Sequence, residues 1–226
     1  MRVRRGQRQR PSLRAIYHRL LRALGPQQWW PAKSPFEVIV GAILTQNTAW
    51  GNVERAIERL RGARALSPGT LAQRRSTVIQ RLIRPSGYFR QKAAVLQGFS
   101  RWYLERYQGS ARAMFRIPAG QLRQELLGLK GIGPETADSI LLYAGEQPIF
   151  VIDAYTRRIF QRHYLISGRE SYDELQQFCM DRLPRQPQWY NEFHALLVAV
   201  GKRYCHRRDP DCASCPLGEF PHRLKE

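Results

Sequence analysis

Apolar residues recur at helical spacing along most of this chain, and this pattern constrains its fold more than any other feature. The stripe from Phe36 to Leu44 is one example. Ser34 and Ser171 each begin a sequence typical of a helix N-terminal capping box, with glutamate three residues later. Only residues 147–152 have an extended pattern, and that segment is short. We therefore predict an all-α protein.

The chain of 226 residues has a formal net charge of +19, and nearly all of its cations are arginines. Arginine binds phosphate oxygens in a bidentate manner, so a nucleic acid is the expected partner. An arginine-rich surface without such a partner is the alternative. No apolar run approaches the ~20 residues that a membrane span needs.

The basic residues 1–10 precede an amphipathic pattern from Leu13 to Leu24 rather than the continuous apolar segment of a secretory signal. We therefore expect a cytoplasmic, nucleoid-associated protein without membrane contact, and an arginine-rich transit peptide is the less favoured alternative. Three of the four cysteines, Cys205, Cys212 and Cys215, lie within eleven residues, whereas Cys179 is separate. This clustering favours a metal or cluster site in a reducing compartment over a disulfide framework.

Two glycines at 131 and 133 flank one apolar residue, and Pro134 then begins a helix. A helix whose apolar face includes Leu122, Leu126 and Leu129 is expected to end at Gly131. Such a turn allows backbone N–H groups to approach a phosphate closely, although it also fits an ordinary corner between two helices. Asp153 follows at the start of another predicted helix, where aspartate is a common N-cap.

These segments resemble the helix-hairpin-helix DNA glycosylases of the endonuclease III superfamily. The resemblance runs from about residue 31 to 216, and it implies two helical domains with a DNA cleft between them. Residues 35–148 would form a six-helix barrel, with the helix-hairpin-helix at about 119–144, and residues 1–34 and 149–226 would form the second domain. The motifs that carry it are Leu129–Ala144, Val151–Arg158, Pro35-Phe36-Glu37, Leu44-Thr45-Gln46-Asn47-Thr48, Gly87-Tyr88, Lys92-Ala93 and the C-terminal cysteines.

The resemblance implies that Asp153 is the catalytic carboxylate, which would stabilise oxocarbenium character on the sugar and orient the attacking water. Bifunctional members of the family carry a Schiff-base lysine where this chain has Glu135. Because a carboxylate cannot form an imine, we expect weak or absent AP-lyase activity, with Lys130 as a less favoured nucleophile. The DNA backbone would be bound by Leu129, Lys130, Gly131, Ile132, Gly133 and Thr136.

The resemblance also implies that Gln46, with Asn47, fills the gap left by a flipped-out base. Gly41 stands where the adenine-specific branch has an acid, which disfavours adenine excision. The Gln46-Asn47-Thr48 motif, together with Trp29, Trp30 and Trp50, resembles that of the bacterial endonuclease III-like 3-methyladenine DNA glycosylases. Indole faces would bind a cationic alkylpurine through cation–π contacts, although Trp29 and Trp30 also fit a core plug.

The C-terminal spacing, Cys205-x6-Cys212-x2-Cys215, resembles the family's ligand pattern for a [4Fe–4S] cluster. The fourth ligand would stand at position 221, which is proline here, so His222, Cys179 or an exogenous group are the alternatives. A cluster would have a structural role, and we expect no nucleotide cofactor.

The resulting hypothesis is a monofunctional base-excision glycosylase that releases an alkylated purine such as 3-methyladenine from duplex DNA. The alternatives are a glycosylase for oxidised pyrimidines or mismatches, and a non-catalytic module that binds damaged DNA. We expect a monomer that acts before an AP endonuclease.

Overall fold

A computed structural model describes residues 10–30 and 32–224, so the predicted basic arm at 1–9 and Pro31 lie outside the described part. The all-α prediction is confirmed, because these residues form helices and no β-strand. No helix in the described part is both long enough and apolar enough to span a membrane. Twelve α-helices lie within these residues: α1 (Leu13–Leu24), α2 (Pro35–Leu44), α3 (Trp50–Gly62), α4 (Pro68–Gln73), α5 (Ser76–Leu82), α6 (Phe89–Tyr107), α7 (Ala111–Met114), α8 (Ala119–Leu127), α9 (Pro134–Ser139), α10 (Ala154–Arg162), α11 (Tyr172–Met180) and α12 (Pro187–Arg203).

The chain divides into two compact units. Residues 30–149 form one, which we call the central unit, whereas residues 1–29 and 150–226 form the other, which we call the terminal unit. The central unit contains α2 to α9, and the terminal unit contains α1 and α10 to α12. The sequence-based bounds for these segments were 35–148 and 1–34 with 149–226.

The core of the central unit is built around α2, whose side chains from Phe36 to Leu44 are all buried. Ser34 caps α2 by accepting a hydrogen bond from the Glu37 N–H, and Pro35 occupies the first turn, as the sequence predicts. The reciprocal half of the expected capping box does not form, because the Glu37 carboxylate instead binds Arg61 of α3 at 2.7 Å. A charged partner thus takes the carboxylate from the neutral backbone N–H.

Two predicted helix boundaries are wrong. The helix that includes Leu122 and Leu126 ends at Leu127 rather than at Gly131, so Leu129 and Lys130 belong to the turn. Asn52 does not cap α3, which begins at Trp50; its side chain donates to Thr48 Oγ1 instead. The helix that Pro134 begins continues beyond α9 as a short π-turn, Ile140–Ala144.

In the terminal unit, α11 fixes the extended segment that precedes Asp153. Its N-terminus has the complete capping box that the sequence predicts, formed by Ser171 and Glu174. Gln176 of α11 donates to the Phe150 carbonyl at 2.6 Å, and the Ile152 N–H donates to the Tyr172 hydroxyl at 3.3 Å. These bonds hold residues 150–152 without a strand partner, so they determine where Asp153 begins α10.

Candidate active site

Asp153 is the N-cap of α10. Its Oδ1 accepts a hydrogen bond from the Thr156 N–H at 2.7 Å, which satisfies one of the backbone donors of the first turn. The second oxygen, Oδ2, takes no part in this bond. Because the side chain remains partly accessible, one carboxylate can both cap the helix and present negative charge to a ligand.

His194 lies beside this carboxylate, on the buried face of α12, where no sequence motif indicates its position near Asp153. Its Nε2 atom is 3.7 Å from Asp153 Oδ2, which is longer than a hydrogen bond. Burial lowers the pKa of His194 from its ordinary value, and the nearby Asp153 opposes this shift. The lowered pKa favours the neutral imidazole, which offsets less of the negative charge of Asp153 than an imidazolium would.

The turn between α8 and α9 presents its backbone to solvent. Gly131 and Gly133 are exposed, whereas Ile132 between them is buried in the core of the central unit. Gly131 has a φ of +87°, and a Cβ there would lie 2.4 Å from Val95 Cγ2. A Cβ at Gly133 would meet no atom within 4 Å, so space there is open to a ligand.

No side chain caps the N-terminus of α9. Lys130 and Glu135 are exposed on the two sides of the turn, and Thr136 is buried. The backbone of Gly131 and Gly133 therefore lies at the surface, beside the positive end of a helix dipole, whereas the Ile132 N–H donates to the Leu129 carbonyl at 3.1 Å.

Gln46 connects the end of α2 to this turn. Its Nε2 atom donates to the Gly131 carbonyl at 3.0 Å and to Thr136 Oγ1 at 2.9 Å. The following residue, Asn47, is exposed and has a positive φ of 51°. The structure thus brings together the predicted gap-filling residue and the predicted backbone-binding turn.

A buried lysine supports the segment that carries Gln46. The Nζ atom of Lys92 donates to the carbonyls of Leu44 at 2.8 Å and Ser86 at 2.6 Å. Leu44 is the last residue of α2, so this bond satisfies a carbonyl at the helix C-terminus. Burial lowers the pKa of Lys92 to about 8.

The three predicted pocket tryptophans are not all in one unit. Trp30 and Trp50 meet edge to face in the central unit, with ring centroids 4.8 Å apart, and both are half-buried. Sequence reasoning missed Tyr143, whose ring centroid lies 5.1 Å from that of Trp30. Trp29 belongs to the terminal unit, where the Lys202 ammonium lies 5.7 Å from its ring centroid.

Gly41 lies directly beneath the Trp30 indole. A Cβ at position 41 would be 2.8 Å from Trp30 Cζ2, so the ring occupies the space that any side chain there would need. The small residue noted in the sequence is therefore a requirement of the Trp30 position.

Cys205, Cys212 and Cys215 line one cavity of the terminal unit, together with His163 and His222. Arg162 donates to the Cys205 sulfur at 3.2 Å. Burial raises the pKa values of the Cys212 and Cys215 thiols. Within residues 10–30 and 32–224, no three His, Cys, Asp or Glu side chains are grouped closely enough to hold a single metal ion.

Cys179 does not line this cavity. It is buried on α11, and burial raises the pKa of its thiol.

The loop after α12 exposes basic side chains, and Arg162 fixes its backbone by donating to the carbonyls of residues 206 and 207 at 2.7 and 3.2 Å. Exposed basic residues here are Arg203, the last residue of α12, and His206, Arg207 and Arg208 of the loop.

The sequence is similar to that of known DNA-repair proteins. The family described as HhH-GPD superfamily base excision DNA repair protein matches residues 40–185. A Methanocaldococcus jannaschii protein, provisionally named a DNA repair glycosylase, is 42% identical over 207 residues, covering 91% of this chain and 93% of its own. Endonuclease III of Thermotoga maritima is 30% identical, covering 81% of this chain and 80% of its own.

A solved structure to which this chain is similar is that of the 3-methyladenine DNA glycosylase MagIII of H. pylori, bound to 1,N6-ethenoadenine. It has a TM-score of 0.73 and 29% identity, covering 85% of this chain and 98% of its own. The sequence resemblance to DNA glycosylases is thereby confirmed. The chain is a DNA glycosylase of base-excision repair and belongs to the HhH-GPD superfamily.

Proposed function

We propose that this glycosylase releases a cationic alkylated purine, such as 3-methyladenine, from duplex DNA, and that it does so without AP-lyase activity. The observation that carries the proposal is the group of aromatic rings formed by Trp30, Trp50 and Tyr143 in the central unit. An electron-rich ring face attracts a cation by ~2 kcal/mol or more when water is excluded. A neutral base gains no cation–π attraction, so rings of this kind favour a base that carries positive charge.

The packing of Trp30 on Gly41 supports the same substrate class. Because the indole fills the space above Gly41, this wall of the central unit has no carboxylate at that position. Protonation of a normal purine by an acid would therefore need another group. An N3-alkylated purine already carries positive charge and leaves readily, so it needs little acid assistance.

Trp29 contributes less to the proposal than the sequence suggested. The Lys202 ammonium already lies over its ring, and a second cation on that face would be repelled. Trp30 and Trp50 are therefore the residues that we expect to govern the choice of base. The 29% identical MagIII structure, which holds a modified adenine, favours a purine over a pyrimidine.

Asp153 is the proposed catalytic carboxylate. Positive charge develops on the sugar as the glycosidic bond breaks, and a carboxylate stabilises it most when no cation beside it has already offset its charge. Burial lowers the pKa of the neighbouring His194 and so favours its neutral form, which supports this role for Asp153. Water is then the nucleophile, because Glu135 stands in place of the lysine that would form an imine.

A second candidate function is the excision of oxidised or mismatched pyrimidines, favoured by the 30% identity to an endonuclease III. Both candidates use the same backbone turn, the same gap-filling Gln46 and the same carboxylate. They differ in the base that is released, which makes substrate preference the discriminating measurement.

We also propose that the cavity lined by Cys205, Cys212 and Cys215 holds an iron–sulfur cluster. Each thiolate of such a cluster binds a different iron, so its ligands stand further apart than those of one metal ion. The hydrogen bond from Arg162 to the Cys205 sulfur fits a thiolate ligand. The cluster would hold the exposed basic loop at 206–208 in place for phosphate binding.

The test of substrate class compares Trp30→Leu with Trp30→Phe on duplexes that contain 3-methyladenine, hypoxanthine or thymine glycol. We expect wild-type protein to release 3-methyladenine fastest under single-turnover conditions. Loss of the ring in Trp30→Leu should slow that release by about tenfold to thirtyfold, the kinetic equivalent of a cation–π contact. Trp30→Phe should keep most of the rate.

Trp102→Leu provides a matched control, because it removes a partly buried indole from the same unit. It should lower stability without changing the preference among the three bases. Faster release of thymine glycol by the wild-type protein would favour the second candidate function. An equal effect of Trp30→Leu on all three bases would contradict cationic selection.

A further inference from the structure

Three cysteines line the cavity of the terminal unit, and proline occupies the position where the family's cluster pattern has a fourth. Pro221 has no side-chain donor atom, but its neighbour His222 lines the same cavity as Cys205, Cys212 and Cys215. These four side chains come from one segment of 18 positions, 205–222. Cys179 is excluded as the fourth ligand, because it is buried on α11 and does not reach the cavity.

The ring of His222 makes the backbone contact that a metal-binding imidazole commonly makes. Its Nδ1 atom lies 2.8 Å from the Phe220 carbonyl oxygen. A carbonyl oxygen only accepts, so Nδ1 carries the proton and the neutral ring has its lone pair on Nε2. A ligating histidine typically donates its other N–H to a backbone carbonyl or carboxylate in this manner.

Bonds on both sides of His222 fix its position. The Arg223 N–H donates to the Arg162 carbonyl at 2.9 Å, and His163 Nδ1 lies 3.1 Å from the Pro221 carbonyl oxygen. Both partners lie at the C-terminal end of α10, which also supplies the guanidinium that binds the Cys205 sulfur. One helix end therefore holds the first cysteine and the residues on both sides of His222.

A tight turn closes the other side of the cavity. The Gly218 N–H donates to the Cys215 carbonyl at 2.8 Å, and a Cβ at Gly218 would lie 2.2 Å from the Cys212 carbonyl oxygen. Only glycine allows the chain to fold back so closely over the two cysteines. The chain after Cys215 thereby returns to the cavity within a few residues, at His222.

We propose that His222 supplies the fourth ligand, through Nε2, to an iron–sulfur cluster bound by Cys205, Cys212 and Cys215. This inference rests on the cluster proposed above. His163 is then a positioning residue, which holds Pro221 and thus the segment that carries His222. Replacing a thiolate with a neutral imidazole makes the cluster less negative, and histidine ligation is known to raise cluster potentials.

The test uses the full chain, purified without oxygen, in five forms: wild type, His222→Ala, His222→Cys, His163→Gln and Cys179→Ala. Iron and acid-labile sulfide are measured per chain, together with visible absorbance and pulsed EPR of the dithionite-reduced protein. Wild type and Cys179→Ala should contain about equal amounts of cluster. Wild type should show hyperfine coupling to a ligating nitrogen, and this coupling should change when histidine is labelled with ¹⁵N.

His222→Ala should lose at least half of the iron, whereas His222→Cys should keep it, lose the nitrogen coupling and have a lower reduction potential. The proposal is overturned if wild type binds no iron, if His222→Ala keeps all of it, or if the coupling persists in His222→Cys. Loss of the coupling in His163→Gln, with full retention in His222→Ala, would assign the ligand to His163 instead.

Base release from 3-methyladenine duplexes is measured on the same samples. Iron-free protein that releases the base would overturn the ligand proposal and leave the proposed substrate standing. Iron-loaded protein that releases no base would overturn the proposed substrate and leave the ligand proposal standing.

Discussion

The Gln46 side-chain amide donates to the carbonyl of Gly131, 85 positions further along the chain, at a distance of 3.0 Å. The same nitrogen donates to Thr136 Oγ1. In the free protein the residue proposed to enter the DNA is therefore held against the turn proposed to bind the DNA backbone. Gln46 must exchange these two bonds for contacts with DNA when a base leaves the helix.

Gln46→Ala should slow base release from a fully paired duplex by at least about tenfold, because nothing then fills the gap that a flipped base leaves. The loss should be smaller when the lesion lies opposite a mismatched base, where flipping costs less. Single-turnover rates on the two duplexes measure the difference.

Thr136→Val is the matched control for this prediction, since it removes one acceptor of Gln46 but keeps the glutamine. Because Thr136 is buried, its expected contact with the DNA backbone would use the main-chain N–H, which valine retains. It should retain base release within a few-fold of wild type. Equal losses on the paired and mismatched duplexes in Gln46→Ala would show that Gln46 acts on folding or chemistry and not on flipping.

The two glycines of the turn should respond differently to substitution by alanine. Gly131→Ala should lower the free energy of unfolding by ~1–3 kcal/mol, because of its positive φ and the clash with Val95. Gly133→Ala meets no neighbouring atom, has a φ of −95° and should fold normally. Its methyl group would occupy the surface that a phosphate approaches, so DNA affinity should fall by about tenfold.

Denaturant unfolding and fluorescence anisotropy with labelled duplex separate the two effects. If Gly133→Ala bound DNA as wild type does, the turn would not be the backbone-binding element. If both variants unfolded like wild type, the packing of Gly131 on Val95 would carry no strain.

Glu135→Lys should introduce AP-lyase activity. The exposed position at the first turn of α9 favours a neutral amine, because the positive end of the helix dipole lowers the pKa of a lysine there. The variant should give a covalent protein–DNA complex after borohydride treatment, with wild type giving less than about a tenth as much. Glu135→Gln is the control and should give none. If wild type gave as much trapped complex as Glu135→Lys, another amine would be the nucleophile, and Lys130 would be the first to test.

Local sequence signals predicted the local features of this protein well. The Ser171 capping box, the Asp153 N-cap and the proline that begins α9 all depend on residues within one helical turn of each other. Their physical causes are short-range hydrogen bonds and steric limits, which a pattern of residues can record. The turn at Gly131 is also a local feature, and it too was predicted from neighbouring residues.

Features that depend on packing between distant segments were missed or misplaced. His194 reaches Asp153 only because α12 packs on α10, and Tyr143 reaches Trp30 through the core of the central unit. Glu37 had the right spacing for a capping box, but Arg61, 24 positions away, provides a stronger partner. No periodicity in the sequence reports such contacts.

Asp153→Asn tests the central claim most directly. The carboxamide oxygen can still accept the Thr156 N–H, so the cap of α10 and the fold should persist. The variant lacks the negative charge that stabilises the developing positive sugar. We expect single-turnover release of 3-methyladenine to fall by ~10³-fold, with DNA affinity within about threefold of wild type. Base release at a rate comparable to wild type, from a folded and DNA-binding Asp153→Asn variant, would contradict the assignment of Asp153 as the catalytic residue.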